Sequence, residues 1–586
     1  MAHSDANPDL VLLNGEVLTA DAEFSVAQAL AVTGGTITAV GGTEEIRALA
    51  GPRTQVVDLR GRTALPGIND SHLHGCAFGA TRPPLALDVG FPAVRSIAEI
   101  QASVKEAASR IPEGEWIRGN GWDPGYLSEC SGSPRGDAPP RPPGASRVEG
   151  GRMPDRADLD AVSPAHPVYL QDFSGHLTWA NSRALELAGV TRDTPTPEGG
   201  VIHKDATGNP TGLLAEGAQA LVQGSLPAYT RDDLVRAIRA NIAVLHREGI
   251  TSYTEPGLGP GGKSLFAGTC DQPTLDTYAE LARSGDLGAR VSVLLLLTGM
   301  GGSVDEITAG LAAAQVPADV DPRLLRVIGV KLFADGTPPN KTAWMRDEYS
   351  GGGFGCLCVH GATDAMRATE LNEMVRLAHI AGHQLGIHVT GDRSLDAVVD
   401  ALEAAQVAHP RDDPRHYVIH ADLPGAQSLR KLAEHRFGAN MNPAIKWTIV
   451  DMLEEMLGPE RAAYQYPVRS AIEAGIPVTA SSDAPVTYPN WRQGITAMLL
   501  RESKASGRVF GPEERVGLPD AVRAYTSNAA WQDFAEDWKG TLEPGRAADV
   551  AVLDGTITSL DPHDLPDVPV AMTVFDGRVV HSTEGL

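Results

Sequence analysis

The chain has 586 residues, 42% hydrophobic and 21% charged, with a formal net charge of −25. At roughly 150 residues per domain that length allows several domains, or two large ones if one is a barrel. The acidic balance excludes a phosphate-gripping surface for nucleic acid and a basic patch for anionic lipid, so neither is expected as a partner.

In chain order, residues 9–60 are rich in short β-type runs separated by Gly and Asn turns, such as LVLLNGEVLTA and TQVVDLRGRTALPG. The first residues carry no basic start and no long apolar run, so no leader peptide is expected. Residues 131–152 are dominated by Pro, Gly and Arg and are predicted to be a loop. The middle alternates apolar strands (VSVLLLL, RVIGVKLF, QLGIHV, YVIH) with amphipathic stretches such as SLDAVVDALEAAQ. Strands alternating with helices imply parallel βαβ units, and continuously apolar strands fit a sheet covered on both faces. The longest of these apolar runs, Val291 to Leu297, is too short to span a bilayer. The last residues return to β-type runs (ADVAVLDGTI, PVAMTVFDGRVVHS), which suggests that both ends meet in one small β-domain.

The five cysteines, Cys76, Cys130, Cys270, Cys356 and Cys358, are few and odd in number. A disulfide framework is not expected, and a reducing, cytoplasmic compartment fits. Cys356 and Cys358 lack a second pair at zinc-site spacing, and Cys76 reads as a small buried filler.

Polar residues recur where apolar runs end. His72 and His74 follow Ala64-Leu65-Pro66-Gly67-Ile68. On a strand, residues two apart share a face with Cα atoms about 6.6 Å apart, so two imidazoles can converge on one ion. Lys331 lies inside Val327-Ile328-Gly329-Val330-Lys331-Leu332-Phe333. A lysine in so apolar a strand must be paired with a carboxylate or modified. A neutral amine there can add carbon dioxide, giving a carbamate able to bridge two metals. His388, His420 and Asp483 each end an apolar strand. One buried histidine is more often structural; six such residues in order reverse that weight.

The order HxH, Lys, His, His, Asp resembles the amidohydrolase superfamily. The stretches LPGINDSHLH, GITSYTEPG, GVKLFADGT, GIHVTGDRSLDAVVDAL, ASSDAPV and KGTLEPGRAADVAVLD resemble its family 3 branch, which contains N-substituted formamide deformylase. The resemblance runs from about residue 60 to 555. It implies an α/β fold, a (β/α)8 TIM barrel over 65–540 with a small composite β-sandwich from residues 1–64 and 541–586. An insertion around 85–245, carrying the 131–152 loop, would lie between the first two barrel strands. His72, His74 and Asp483 would hold one metal, His388 and His420 a second, and carboxylated Lys331 would bridge them. Zinc is the expected ion, one or two per chain, with other divalent metals able to replace it.

The implied activity is hydrolysis of a C–N bond of a small molecule, and a homodimer is the base-rate expectation for a soluble enzyme. Such a metal lowers the pKa of water from about 15.7 to about 7. Asp483 would take the water's proton and pass it to the leaving nitrogen. His176 would assist the negative oxygen or bind substrate. Trp122 and Trp344 are further candidate substrate contacts; Trp179 and Trp447 also flank the catalytic stretches. Carbamate, urea or lactam hydrolysis, deamination, decarboxylation and a non-catalytic scaffold are the competing expectations. Deaminases of the superfamily typically lack the bridging lysine, and a scaffold should lack ligands. Relatives often carry Glu where this chain has Ile419, which leaves the ligand His420 in place but makes its neighbour apolar.

Overall fold

The computed structural model describes residues 7–131, 151–173, 175, 177–197, 200–262 and 265–583. The chain divides into two compact units, one of Met1–His74, Ile242–Leu265 and Cys270–Leu586, the other of Gly75–Asn241 and Phe266–Thr269.

The first unit holds an eight-stranded parallel sheet curved into a nearly closed barrel, its strands neighbouring one another in chain order. They are β1 (Ile68–Asp70), β2 (Ile250–Leu258), β3 (Arg290–Leu296), β4 (Leu325–Phe333), β5 (Gln384–Val389), β6 (Tyr417–His420), β7 (Gly438–Met441) and β8 (Val478–Ala480). β3 reads RVSVLLL and is buried at every position, the pattern of a strand covered on both faces. Register sets Lys331 of β4 opposite Gly386, and Phe333 opposite His388. Val389 of β5 then faces His420 of β6. The seam between β8 and β1 is bridged just beyond the strands. Asp483 N donates to the His72 carbonyl, and His74 N to that of Ala484, both at 2.9 Å.

The barrel interior is partly polar, and its polar groups answer one another. Asn440 Nδ2 donates to Ser71 Oγ (2.7 Å) and Thr479 Oγ1 (3.1 Å). Gln532, ending the helix Ser527–Gln532, donates to the Ser71 carbonyl and accepts from Thr479 Oγ1. The next residue, Asp533, accepts from Asn69, Thr254 and Lys539. Buried polar groups so paired rigidify a core instead of weakening it.

The two ends of the chain share a six-stranded sheet. Its order is Arg578–Ser582, Val570–Phe575, Val550–Leu553, Thr63–Pro66, Glu16–Leu18 and Val26–Ala27. A four-stranded sheet of Thr36–Gly41, Ala29–Thr33, Leu10–Leu13 and Gln55–Asp58 accompanies it. Leu12, Leu30 and Val32 of the smaller sheet lie in one apolar cluster with Val550, Met572 and Val574 of the larger. Arg290, opening β3, ties barrel to sheet. Its Nε and Nη2 donate to the Asp549 carboxylate (2.7 and 3.1 Å), and Nη2 also reaches Asp576 (3.0 Å).

The second unit forms a six-stranded mixed sheet in the order Gly200–Lys204, Pro210–Glu216, Leu177–Ala180, Val168–Asp172, Ile117–Trp122 and Leu87–Asp88. Of the predicted loop 131–152, residues 132–150 lie outside the described residues. Among the described residues no helix is long and apolar enough to cross a membrane.

A histidine pair is buried beneath the start of β5. Leu385 N donates to His416 Nδ1 (3.0 Å), so His416 carries its proton on Nε2 and gives it to His379 Nδ1 (2.8 Å). His379 Nε2 then donates to the His409 carbonyl (2.7 Å). The chain of donors needs both rings neutral. Burial holds both below the usual 6.5: His416 well below, with the His379 imidazole and Arg411 adding to the effect, and His379 against an opposing hydrogen bond to the His409 carbonyl, with Arg411 adding. The unfolded chain therefore binds more protons below about 6.5, and stability falls as pH falls through that value, by up to about 1.4 kcal/mol per pH unit for each ring. We expect the urea midpoint to drop between pH 7.5 and 5.5, and less steeply in His379→Gln. An equal slope in that variant would remove the pair as a source of acid sensitivity.

Candidate metal centre

Five of the six residues read from strand ends are brought directly together at the C-terminal mouth of the barrel, and the sixth lies within their electric field. Among the described residues, donor atoms of His72, His420 and Asp483 all fall within 4.8 Å of one another. His72 Nε2 is 3.2 Å from Asp483 Oδ1 and His74 Nε2 is 3.7 Å from the same oxygen. The His388 ring centroid is 4.6 Å from that of His420, which is 5.3 Å from that of His72. The tightest trio thus joins His420 to His72 and Asp483, across the division into two ligand groups that the resemblance implies. Lys331 is 2% exposed, its Nζ 5.0 Å from the Phe333 ring centroid.

The backbone is bent to aim these groups. His420, Ala421 and Asp483 have φ of 72°, 49° and 57°, the left-handed region that non-glycine residues avoid. Such conformations cost about 1–3 kcal/mol each and persist where the surroundings impose them, often at functional sites.

The electrostatics favour neutral ligands. Burial, reinforced by Lys331 and His388, holds His72 well below the usual imidazole value. Burial and then His388 do the same to His420. Burial and then His72 push His74 down to about 3. Burial also lowers Lys331 to about 7 against an opposing pull from Asp483. Asp70 is pushed up to about 7 by burial, although its carboxylate accepts from Ser482 N at 3.1 Å and His72 N at 3.3 Å.

This donor set fits a divalent cation. Neutral imidazoles beside a carboxylate suit zinc and its neighbours. Among the described residues, His72 Nδ1 and His388 Nδ1 are buried without a hydrogen-bond partner. The nitrogens that face the Asp483 carboxylate are instead Nε2 of His72 and of His74.

Three oxygen-bearing residues behind the imidazoles were not singled out in the sequence. His420 Nδ1 meets Asn442 Oδ1 at 2.7 Å. His74 Nδ1 lies 3.8 Å from Glu255 Oε1, and His388 Nδ1 3.6 Å from Asp335 Oδ1. Asp335 is fully buried and accepts from Trp344 N, Thr390 N, Gly391 N and Ser394 Oγ. It thereby sits at the start of the helix Asp392–Ala408, where backbone N–H groups favour an anion. Gly391 is required there, since a Cβ would lie 2.2 Å from the Trp344 carbonyl oxygen. The signal for Asp335 was a carboxylate four residues beyond Lys331 in GVKLFADGT.

Trp344 is 6% exposed, with the Arg393 guanidinium stacked 4.1 Å from its ring centroid. Trp122 lies in the apolar core of the second unit, fully buried, its indole N–H donating to the Leu170 carbonyl at 3.1 Å. Trp179 packs edge-on against it. His176 lies outside the described residues. Ile419 is fully buried in a cluster with Leu294, Ile328 and Tyr417, so the position is apolar in its setting as well as its type.

The chain is similar to several known proteins. The N-substituted formamide deformylase of Arthrobacter pascens is 28% identical, over 98% of this chain and 99% of its own. Protein LONG AFTER FAR-RED 3 of Arabidopsis thaliana is also 28% identical, over 93% of this chain and 87% of its own. The crystal structure of an uncharacterized metal-dependent hydrolase from Pyrococcus horikoshii OT3 superposes with a TM-score of 0.68 at 22% identity, covering 98% of this chain and 100% of the other, which shows the same fold. The family model described as "Amidohydrolase family" matches residues 55–581, and the chain therefore belongs to the amidohydrolase family, hydrolases of carbon–nitrogen bonds.

Proposed function

We propose that the chain hydrolyses the C–N bond of a small N-acyl compound at a metal centre built from His72, His74, Lys331, His388, His420 and Asp483. The observation that carries this reading is the convergence of His72, His420 and Asp483 within 4.8 Å at the barrel mouth. Neutral imidazoles and a carboxylate would hold one or two zinc ions, and a divalent ion supplies Lewis acidity and a lowered water pKa. Asp483 accepts a proton from the attacking water and returns it to the leaving nitrogen, which departs as an amine. The buried rings of His72 and His420 stay unprotonated near neutrality, so their nitrogens keep lone pairs for the ion. The burial of Lys331 favours its free amine, the form that adds carbon dioxide to become a bridging carbamate. Because the Arthrobacter pascens relative is an N-substituted formamide deformylase, N-formyl amines head the substrate panel. His176 and Trp344 are carried forward as substrate contacts. The two terminal sheets would act as one composite β-sandwich.

The test combines elemental analysis of purified protein with assays on N-formyl amines, N-acyl amines, ureas, carbamates and lactams, before and after chelation. One or two zinc ions per chain with chelator-sensitive amine release is expected. In Lys331→Gln we expect metal content and turnover to fall by at least about tenfold, with partial recovery on adding zinc and a short-chain carboxylic acid. Protein that stays metal-free and inactive after zinc and bicarbonate are supplied overturns the reading.

A further inference from the structure

We propose that Glu255 is a positioning residue that locks the His74 imidazole with its proton on Nδ1, turning Nε2 toward the donor cluster. The inference rests on the metal-centre reading above and assigns a task to a residue outside that ligand set.

Glu255 lies on β2 and is 1% exposed. Its Oε1 is 3.8 Å from His74 Nδ1. A carboxylate facing a ring nitrogen demands a proton on that nitrogen, which leaves the lone pair on the other. That other atom, Nε2, is the one 3.7 Å from Asp483 Oδ1.

The second carboxylate oxygen fixes the first. Oε2 accepts from the Tyr278 hydroxyl at 3.1 Å, and Tyr278 accepts from the Tyr253 hydroxyl at 2.9 Å. Both tyrosines are fully buried. An ionised carboxylate only accepts, so Tyr278 must donate to it, and the direction of donation runs from Tyr253 through Tyr278 to Glu255. His420 is held in the same sense by a different group. Its Nδ1 faces Asn442 Oδ1, and Asn442 Nδ2 donates to Ser481 Oγ at 2.9 Å, which orients the amide oxygen to the ring. Two imidazoles of the cluster thus each have an oxygen behind Nδ1, one from β2 and one from the residue that follows β7.

This ordering makes Glu255→Gln a sharp probe. Where Tyr278 keeps the direction of donation that Tyr253 gives it, its hydroxyl selects the amide oxygen and leaves the NH2 group facing His74 Nδ1. A donor there calls for an acceptor, so the ring proton moves to Nε2 and blocks the atom that faces the cluster. Adding Tyr278→Phe removes the hydroxyl that sets this orientation, and the amide can turn to present its oxygen.

The experiment measures zinc affinity by chelator competition, the visible spectrum of the cobalt(II) form, and the melting temperature of metal-free protein. It compares the wild type, Glu255→Gln and Glu255→Gln/Tyr278→Phe. Zinc affinity should fall about 10–100-fold in the single variant, with a changed cobalt spectrum and an unchanged metal-free melting temperature, and most of the loss should be regained in the double variant. Wild-type affinity in Glu255→Gln, or equal loss in both variants with a lowered metal-free melting temperature, overturns the proposal while leaving the metal centre intact. A wild type that binds neither zinc nor cobalt overturns both.

Discussion

Asp483→Asn is expected to lower kcat/KM by about 10²–10⁴-fold while leaving most of the metal in place. Asparagine keeps an oxygen next to His72 and His74 but cannot accept the water's proton. The surrounding imidazoles persist, with His72 Nε2 only 3.2 Å from the altered side chain. Metal per chain and steady-state kinetics on the best substrate of the panel separate the two effects. Near-normal turnover with metal retained would take the base role away from Asp483. Parallel loss of metal and turnover would reduce it to a ligand.

Asp549→Asn is expected to destabilise the fold by about 3–5 kcal/mol. The change leaves the Arg290 guanidinium buried without its main counter-charge, since Arg290 is 4% exposed and Asp549 6%. Asp576 is the weaker partner because it stands 57% exposed to water. The Arg290 guanidinium also lies 5.1 Å from the ring centroids of Trp538 and Phe575, so Arg290→Lys loses both the two-pronged pairing and the stacking. Urea unfolding of the metal-free protein gives the number directly. A loss below about 1 kcal/mol would mean that the pair behaves as if it faced solvent.

The residues proposed as ligands were readable as candidates because each interrupts or ends an apolar run. Lys331 inside RVIGVKLF and His420 after YVI violate the local pattern, and a violation at a strand end is what a barrel mouth produces. Their supports were not readable for the opposite reason. Glu255 sits in ITSYTEPGL among Thr, Ser and Tyr, where one more polar residue breaks nothing. Asn442 follows a strand so short that its place behind His420 depends on the register of β6 against β7. Arg290 and Asp549 are 259 positions apart and look like ordinary charges until the fold joins them. Meeting of the chain ends was legible from β-type composition at both, but the pairing of Val550–Leu553 with Thr63–Pro66 needed the structure.

The bridged seam also bears on the order of events during synthesis. His72 and Asp483 belong to opposite flanks of that seam, and the contact between Ser482 N and Asp70 spans 412 positions. A chain emerging from the ribosome presents the paired histidines early, but their acidic counterpart arrives only after all eight strands have been made. Contacts so distant in sequence form late and slowly. A growing chain therefore lacks the full set of proposed ligands until the barrel is finished.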